Sequence, residues 1–364
     1  MNKRVLHCGS IDVKTGGPAL STSLSMKGVL PNGYDALIWQ QPLLPGGSLI
    51  SDEFDVYYRD KIKLKSIKNI DLYHIQGLWE IPNHKMAVYA RKNKVPYIIT
   101  LRGMFYSADQ NVLKKRIALA LYQKKDLKMA ACIQATCKEE MNEYRKYGLK
   151  NPVAVIPNPI DCSEFLERPV LKKSVFRFGY LGRLDKRKRV ERIIYSFYHN
   201  QSYYNRAELI IIGSWDSQYE KFLKSEVRRL KLKNVIFTGF ITGKEKDDYI
   251  TSLSALVVPS DFENFGNIVT EALVRGVPVI ASKGTPWEDL ERYKCGFWVE
   301  NDQNTIDKTM LKMFLLPEEE RIQMGTNGKK LIENKYSLEK NGLQLAHLYD
   351  WILGNREKPD FVYI

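Results

Sequence analysis

Residues 259–282 read PSDFENFGNIVTEALVRGVPVIAS. The apolar run Leu256–Pro259 in front of them has the length of a buried strand. Ser260–Gly266 is a polar loop carrying Glu263, Asn264 and Gly266. Helical spacing runs from about Asn267 to Val274, Gly276 supplies the stop, and Val277–Ala281 is the next apolar run. Strand, loop, helix and strand in this order make a βαβ unit. A glycine at 266 lets a ligand approach the backbone, and unpaired amides at the helix start suit phosphate or sugar oxygens. Glu271 follows Glu263 and lies roughly a turn and a half into the helix. Two such carboxylates facing one ligand accept hydrogen bonds from a polyhydroxylated partner. Each acid taken alone is more often a solvated surface group, so the weight rests on the whole string.

The same alternation extends outward in both directions. Apolar runs at Arg4–Cys8, Ala36–Trp39, Leu72–Ile75, Tyr97–Thr100, Ala131–Ala135 and Ala154–Ile156 form a first set. Phe176–Leu181, Leu209–Ile212, Val235–Phe237, Ala255–Val258 and Val277–Ala281 form a second. Helix-length stretches separate most of them, which predicts two doubly wound parallel sheets covered on both faces. Pro157-Asn158-Pro159 breaks the first set, and Ile160–Ser174 reads as a linker. The expected domains are 1–165 and 166–336. A helical tail in 337–364 packs back on the first domain, with Leu338, Leu343, Leu345, Leu348, Trp351 and Ile352 as its apolar positions. Ligands of such sheets sit beyond the carboxyl ends of the strands, so chemistry is sought there.

Composition narrows the classes. A chain of 364 residues is long enough for two cores. No apolar run reaches membrane-spanning length, and the start MNKRVLHCGS has no signal-peptide core. Five scattered cysteines without a CxxC pair fit reduced, mostly buried thiols, and neither Cys nor His shows zinc-ligand spacing. A cytoplasmic location follows as the expectation. The net charge is +14, with 25 Lys and Arg against 16 Asp and Glu in residues 1–170, and 31 against 26 in the rest. The excess calls for an anionic partner: nucleic acid, an anionic membrane surface or an anionic substrate. The segment Asn111–Lys128, NVLKKRIALALYQKKDLK, interleaves six cations with apolar residues. It reads either as a core-facing helix with a solvated basic face or as a helix lying on an anionic bilayer.

The string at 259–282 resembles the donor-binding segment of retaining GT-B glycosyltransferases of family 4, in which Glu-x7-Glu encloses Phe-Gly and precedes Gly-x-Pro-Val-Ile. Here the pattern stands as Glu263, Phe265-Gly266, Glu271 and Gly276-Val277-Pro278-Val279-Ile280. Gly182-Arg183-Leu184 with Lys188 resembles the same family's Gly-Arg-Leu-x-x-x-Lys turn. The resemblance implies a GT-B fold, two Rossmann-like doubly wound parallel-sheet domains with an interdomain cleft. It implies that Arg183 and Lys188 hold a donor diphosphate, where fixed cations stabilise the charge of a leaving group. It further implies that Glu263 with the Phe265–Asn267 segment holds the sugar, that Glu271 holds the ribose, and that Ile241 meets the base. No cofactor or metal is expected beyond the nucleotide sugar, of UDP or GDP type, itself. Where this chain has Arg189, the family often has glycine.

In the first half, Gly16-Gly17 after the first strand resembles the family's glycine loop near the donor phosphate. Tyr73–Trp79 and Ile99–Phe105 resemble segments of its bacterial surface-polysaccharide subgroup, which makes His74, Gln76, Trp79 and Met104 acceptor-side candidates. Gln76 and Arg102 each stand where a histidine is usual. Arg102 is no general base at neutral pH but can donate to a sugar hydroxyl or phosphate. The function implied is transfer of a sugar to a lipid-linked glycan in bacterial capsule, exopolysaccharide or lipopolysaccharide synthesis, with attachment to the inner face of the plasma membrane through Asn111–Lys128. Two alternatives stay open: a nucleotide-sugar epimerase of the same fold, and a non-catalytic protein binding nucleotide sugar or nucleic acid. No nucleic-acid motif supports the last.

Overall fold

The computed structural model describes residues 2–105, 117, 119–170 and 172–364. Residues 111–116 and 118 of the basic segment Asn111–Lys128 lie outside that description. The chain divides into two compact domains, Met1–Asp161 with Tyr336–Ile364, and Cys162–Lys335.

The first domain is built on β1 (Lys3–Gly9), β2 (Tyr34–Gln40), β3 (Asp55–Tyr58), β4 (Leu72–Gln76), β5 (Tyr97–Thr100), β6 (Cys132–Ala135) and β7 (Val153–Val155). They pair in parallel in the order β7-β6-β5-β4-β1-β2-β3, and Val362–Tyr363 adds an antiparallel edge beside β7. The central strands are buried on both faces, as continuous β-branched runs require. Their two faces feed separate clusters. One is centred on Leu6, Cys8, Tyr73, Ile75 and Ile99, the other on Val5, Met26, Ile38, Ile98 and Leu345. Helix α1 (Gly17–Val29) and the tail helix Leu338–Ile352 cover the second face together. Gly28 and Gly342 meet there so closely that a Cβ on Gly342 would lie 1.9 Å from the Gly28 carbonyl oxygen. The tail corrects one expectation: Leu343 points to solvent, and Tyr349 takes the buried position instead.

The second domain contains β8 (Arg177–Leu181), β9 (Glu208–Ile212), β10 (Val235–Gly239), β11 (Ala255–Val258), β12 (Val279–Ser282) and β13 (Gly296–Val299), all parallel in the order β10-β9-β8-β11-β12-β13. This is the doubly wound order. Its strand sequence reverses between β8 and β11, where a crevice opens at the carboxyl ends. In the first domain the reversal falls between β1 and β4. The short edge strands β3 and β13 are not among the strands expected from the sequence.

Candidate functional site

The reversal point of the second sheet gathers most of the donor-side residues. Beyond β8 the chain passes Gly182 and Arg183, and the Lys186–Lys188 turn is capped by Asp185, whose Oδ1 accepts the Arg187 amide at 2.9 Å. Beyond β11 lies the loop 259–266. Lys188 Nζ donates to Glu263 Oε1 at 2.5 Å, and Ser260 Oγ donates to the same oxygen at 3.1 Å. The Asp261 amide donates to the Arg187 carbonyl at 2.8 Å, and Arg189 Nε donates to Asp261 Oδ2 at 2.5 Å. Two loops far apart in sequence are thereby stitched along one edge. Arg189 has φ 51° and ψ 38°, the left-handed conformation. That geometry explains why glycine is common there in the family it resembles.

Gly266 caps the helix Asn267–Val274 with φ 81° and offers no side chain to its first amides. The loop is held from beneath by Trp287, which is fully buried and donates from Nε1 to the Phe265 carbonyl at 2.5 Å. Phe265 itself is buried against the Trp287 ring. Trp287 belongs to no motif, so sequence reasoning missed it. One turn into the same helix, Glu271 pairs with Lys246 at 2.5 Å.

Arg183 differs from Lys188 in having no acidic partner among the described residues. Its guanidinium instead lies 4.9 Å from the centre of the Trp215 ring. Trp215 is 65% exposed and Phe240 80% exposed. They follow β9, which pairs with β8, and β10, the edge strand beyond it. Gly213 makes that crowding possible, because with φ 131° its Cβ would lie 1.9 Å from the Gly182 carbonyl oxygen. Ile241 is half-buried just past Phe240. The arrangement offers two paired ammonium groups, Lys188 on Glu263 and Lys246 on Glu271, with the Arg183 guanidinium and two exposed rings.

The corresponding edge of the first sheet is built differently. Gly16 (φ 76°) and Gly17 lead into α1. The last residues of five strands on the α1 face are Gln134, Thr100, Gln76, Gly9 and Gln40, a polar row across the sheet. Arg102, two residues past β5 with φ 55°, inserts into it. Its Nη1 donates to Ser21 Oγ at 2.6 Å and Asn158 Oδ1 at 3.0 Å, and its Nη2 to Thr22 Oγ1 at 3.0 Å and Gln76 Oε1 at 2.7 Å. Only the buried Nε–H remains without an acceptor. Burial brings its pKa down to about 10, opposed by the nearby Glu140. Glu140 is also buried, which raises its pKa, while the Thr136 and Gly103 amides bind the carboxylate.

The acceptor-side candidates separate. His74 is fully buried, and its ring nitrogens bond Tyr349 Oη and Thr100 Oγ1, each at 2.7 Å, so both are engaged inside the domain. Gln76 joins His7 to Arg102. Trp79 and Met104 form a neighbouring pair, with Trp79 Nε1 donating to the Met104 carbonyl at 3.3 Å and the Leu78 amide contacting Met104 Sδ at 3.0 Å. Trp79 has φ 71°, a strained value for a bulky residue and a recurrent mark of functional sites.

Two parallel α/β domains with ligand-ready groups at the carboxyl edges define a GT-B architecture. The family described as Glycosyl transferases group 1 matches residues 163–331, and Glycosyltransferase Family 4 matches residues 38–164. The chain belongs to the GT-B glycosyltransferases. Among curated proteins it resembles the capsular polysaccharide biosynthesis glycosyltransferase CapM of Staphylococcus aureus, with 27% identity over 79% of this chain and 72% of the relative. Among solved structures it resembles the sucrose-phosphate synthase of Thermosynechococcus elongatus at a TM-score of 0.79 and 18% identity, covering 98% of this chain and 100% of that one. Anabaena HepE in complex with UDP-glucose matches at a TM-score of 0.74 and 16% identity over 96% of this chain and 99% of that one. No helix among the described residues is long and apolar enough to cross a membrane.

Proposed function

We propose that this glycosyltransferase moves a sugar from a UDP- or GDP-sugar to a lipid-linked glycan, with retention at the anomeric carbon, in the synthesis of a bacterial capsule, exopolysaccharide or lipopolysaccharide. The observation that carries the reading is the Lys188–Glu263 pair at the reversal point of the second sheet, with Arg183 unpaired beside it. A diphosphate entering that edge draws Lys188 from Glu263 and engages Arg183. Glu263 is then released to accept from sugar hydroxyls at the start of the helix Asn267–Val274. Glu271 exchanges Lys246 for the ribose hydroxyls, and the base meets the Phe240–Ile241 turn. As the bond from the anomeric carbon to the diphosphate breaks, the acceptor oxygen bonds the same face. The acceptor proton passes to the leaving phosphate oxygen, and the two cations carry the charge, with no cofactor or metal. The UDP-glucose complex of HepE and the capsular role in CapM's name favour this donor class and this setting. Work at the inner face of the plasma membrane, reached through the basic segment Asn111–Lys128, belongs to the same proposal.

The test is a thermal-shift panel of nucleotide sugars, followed by transfer assays. A true donor at a hundredfold excess over its Kd adds about 2.7 kcal/mol to the domain that binds it. Unchanged transfer by both Lys188→Ala and Glu271→Ala would sink the assignment.

A further inference from the structure

Helix α2 (Ile81–Lys92) starts just past the carboxyl end of β4, and its first turn carries His84. The His84 Nδ1–H donates to Asp126 Oδ2 at 2.7 Å. Asp126 is 1% exposed and fully committed, since Arg91 Nη1 donates to its other oxygen at 2.8 Å. The Tyr97 hydroxyl pins the same residue through its carbonyl at 2.5 Å. The histidine ring is therefore fixed by a buried carboxylate while remaining 30% exposed, with Nε2 as the nitrogen left for a ligand. The Tyr122 ring lies 4.8 Å from it, and the Tyr122 hydroxyl donates to the carbonyl of Trp79, whose backbone is strained.

The surroundings have two chemistries. Ile81, three residues before His84 and on the same helix face, is 54% exposed, and Leu121 beside Tyr122 is 77% exposed. Lys85, Lys124 and Lys125 are exposed and engage in no ion pair among the described residues. The acid that follows Lys125, Asp126, is already balanced by Arg91. A fixed imidazole among unpaired lysines suits a phosphate. Exposed Ile and Leu suit a hydrocarbon that begins where the phosphate ends.

We propose that His84, held by Asp126, binds the phosphate of a lipid-phosphate acceptor as an imidazolium, with Nδ1–H on Asp126 and Nε2–H donated to a phosphate oxygen, while the lipid chain lies along Ile81 and Leu121. The inference rests on the glycosyltransferase reading and names the acceptor's anionic end. Asp126 acts as a positioning residue that fixes the ring, and no bond is made or broken at this site.

The full-length chain, labelled with 13C and 15N at its five histidines, reports on this directly by NMR. His84→Asn assigns the resonance, and His199 in the second domain serves as the internal control. Farnesyl phosphate below its micelle concentration should move the His84 signal saturably and leave His199 in place. Farnesol or inorganic phosphate at equal concentration should leave both signals in place. Leu121→Glu, a surface change that keeps the fold, should weaken the farnesyl phosphate response about tenfold through loss of one apolar contact. A His84 signal unmoved by farnesyl phosphate, an equal response to inorganic phosphate, or full binding by Leu121→Glu each overturns the proposal. Thermal stabilisation by nucleotide sugars is independent of all three results. Its failure would break the glycosyltransferase reading instead.

Discussion

The two sheets handle charge at their carboxyl edges in opposite ways. In the second domain the charges stand at the rim in exchangeable pairs, Lys188 with Glu263 and Lys246 with Glu271, and Arg183 rests on an aromatic face. In the first domain the polar groups are sunk beneath α1, where Arg102 spends four N–H groups on neutral oxygens and two histidines are sealed from water. Rim pairs can trade a protein partner for a ligand at little net cost, because each charge that leaves its partner regains one on the ligand. Sunken groups cannot trade, because each lost bond leaves an unsatisfied buried atom. Ligand exchange therefore belongs to one domain, and sensitivity to conditions to the other.

The sharpest way to break that contrast is Lys188→Ala. If the rim cation meets the leaving diphosphate, its loss should cost about 10²–10³ in kcat, or about 3–4 kcal/mol of transition-state stabilisation. Steady-state transfer kinetics and a melting curve check it, and the melting temperature should hardly move. A variant that unfolds while its surviving fraction turns over normally would place Lys188 in the framework.

Acid should reveal the other side. Burial, with Arg102 adding repulsion, pushes the His7 pKa down to about 3, and burial with His7 and Arg102 lowers that of His74 in the same direction. In the unfolded chain both titrate near 6.5, so between the unfolded and folded values the unfolded state binds more protons. Their contribution is full above about pH 6.5 and fades as pH falls toward 3, by about 3 kcal/mol for His7 alone at pH 4.5. The second domain holds one histidine, the half-exposed His199 paired with Asp307. Calorimetry at pH 7.5 and 4.5 should show the first domain's transition falling further than the second's. His7→Gln should flatten the difference, and equal falls in both domains would contradict the picture.

How much of this was legible in the sequence follows the same division. The GT-B class and the loop 259–266 could be read because rim chemistry needs particular residues at fixed spacing along one segment. Lys188 and Glu263 are such residues, and the structure brings them within 2.5 Å. The first domain's row at Gln134, Thr100, Gln76, Gly9 and Gln40 comes from five strands, one position each, so no window of sequence contains it. His74 looked available because a strand-end histidine is visible and the helix that buries it, carrying Tyr349, lies 275 residues away. Trp287 and the His84–Asp126 pair escaped for the same reason.

A smaller effect probes how the rim is kept ready. Among the described residues Arg183 has no acidic partner that would neutralise it, and the Trp215 face is what limits its wandering. An exposed cation–π contact is worth about 0.5–1 kcal/mol, so Trp215→Ala should raise the donor KM by a few-fold and leave kcat nearly unchanged. Trp215→Phe should restore most of the affinity. A Phe variant no better than Ala would mean that the indole contacts the donor itself.

The smallest expected effect isolates a single backbone conformation. Arg189 pays for its left-handed φ of 51° beside the diphosphate turn. It also donates to Asp261, but that pair is about two-fifths exposed on both sides and adds little. Arg189→Ala and Arg189→Gly both remove the ion pair, so their difference cancels it. Alanine keeps the strain of the left-handed region, worth about 1 kcal/mol, whereas glycine sheds it. Glycine also gains freedom in the unfolded chain, which offsets part of that difference. Denaturant unfolding of the second domain should therefore place Arg189→Gly above Arg189→Ala by up to about 1 kcal/mol. An alanine variant as stable as the glycine one would mean that the turn relaxes to an ordinary φ once the Asp261 tether is cut. The tether, rather than the turn, would then hold Lys188 at the rim.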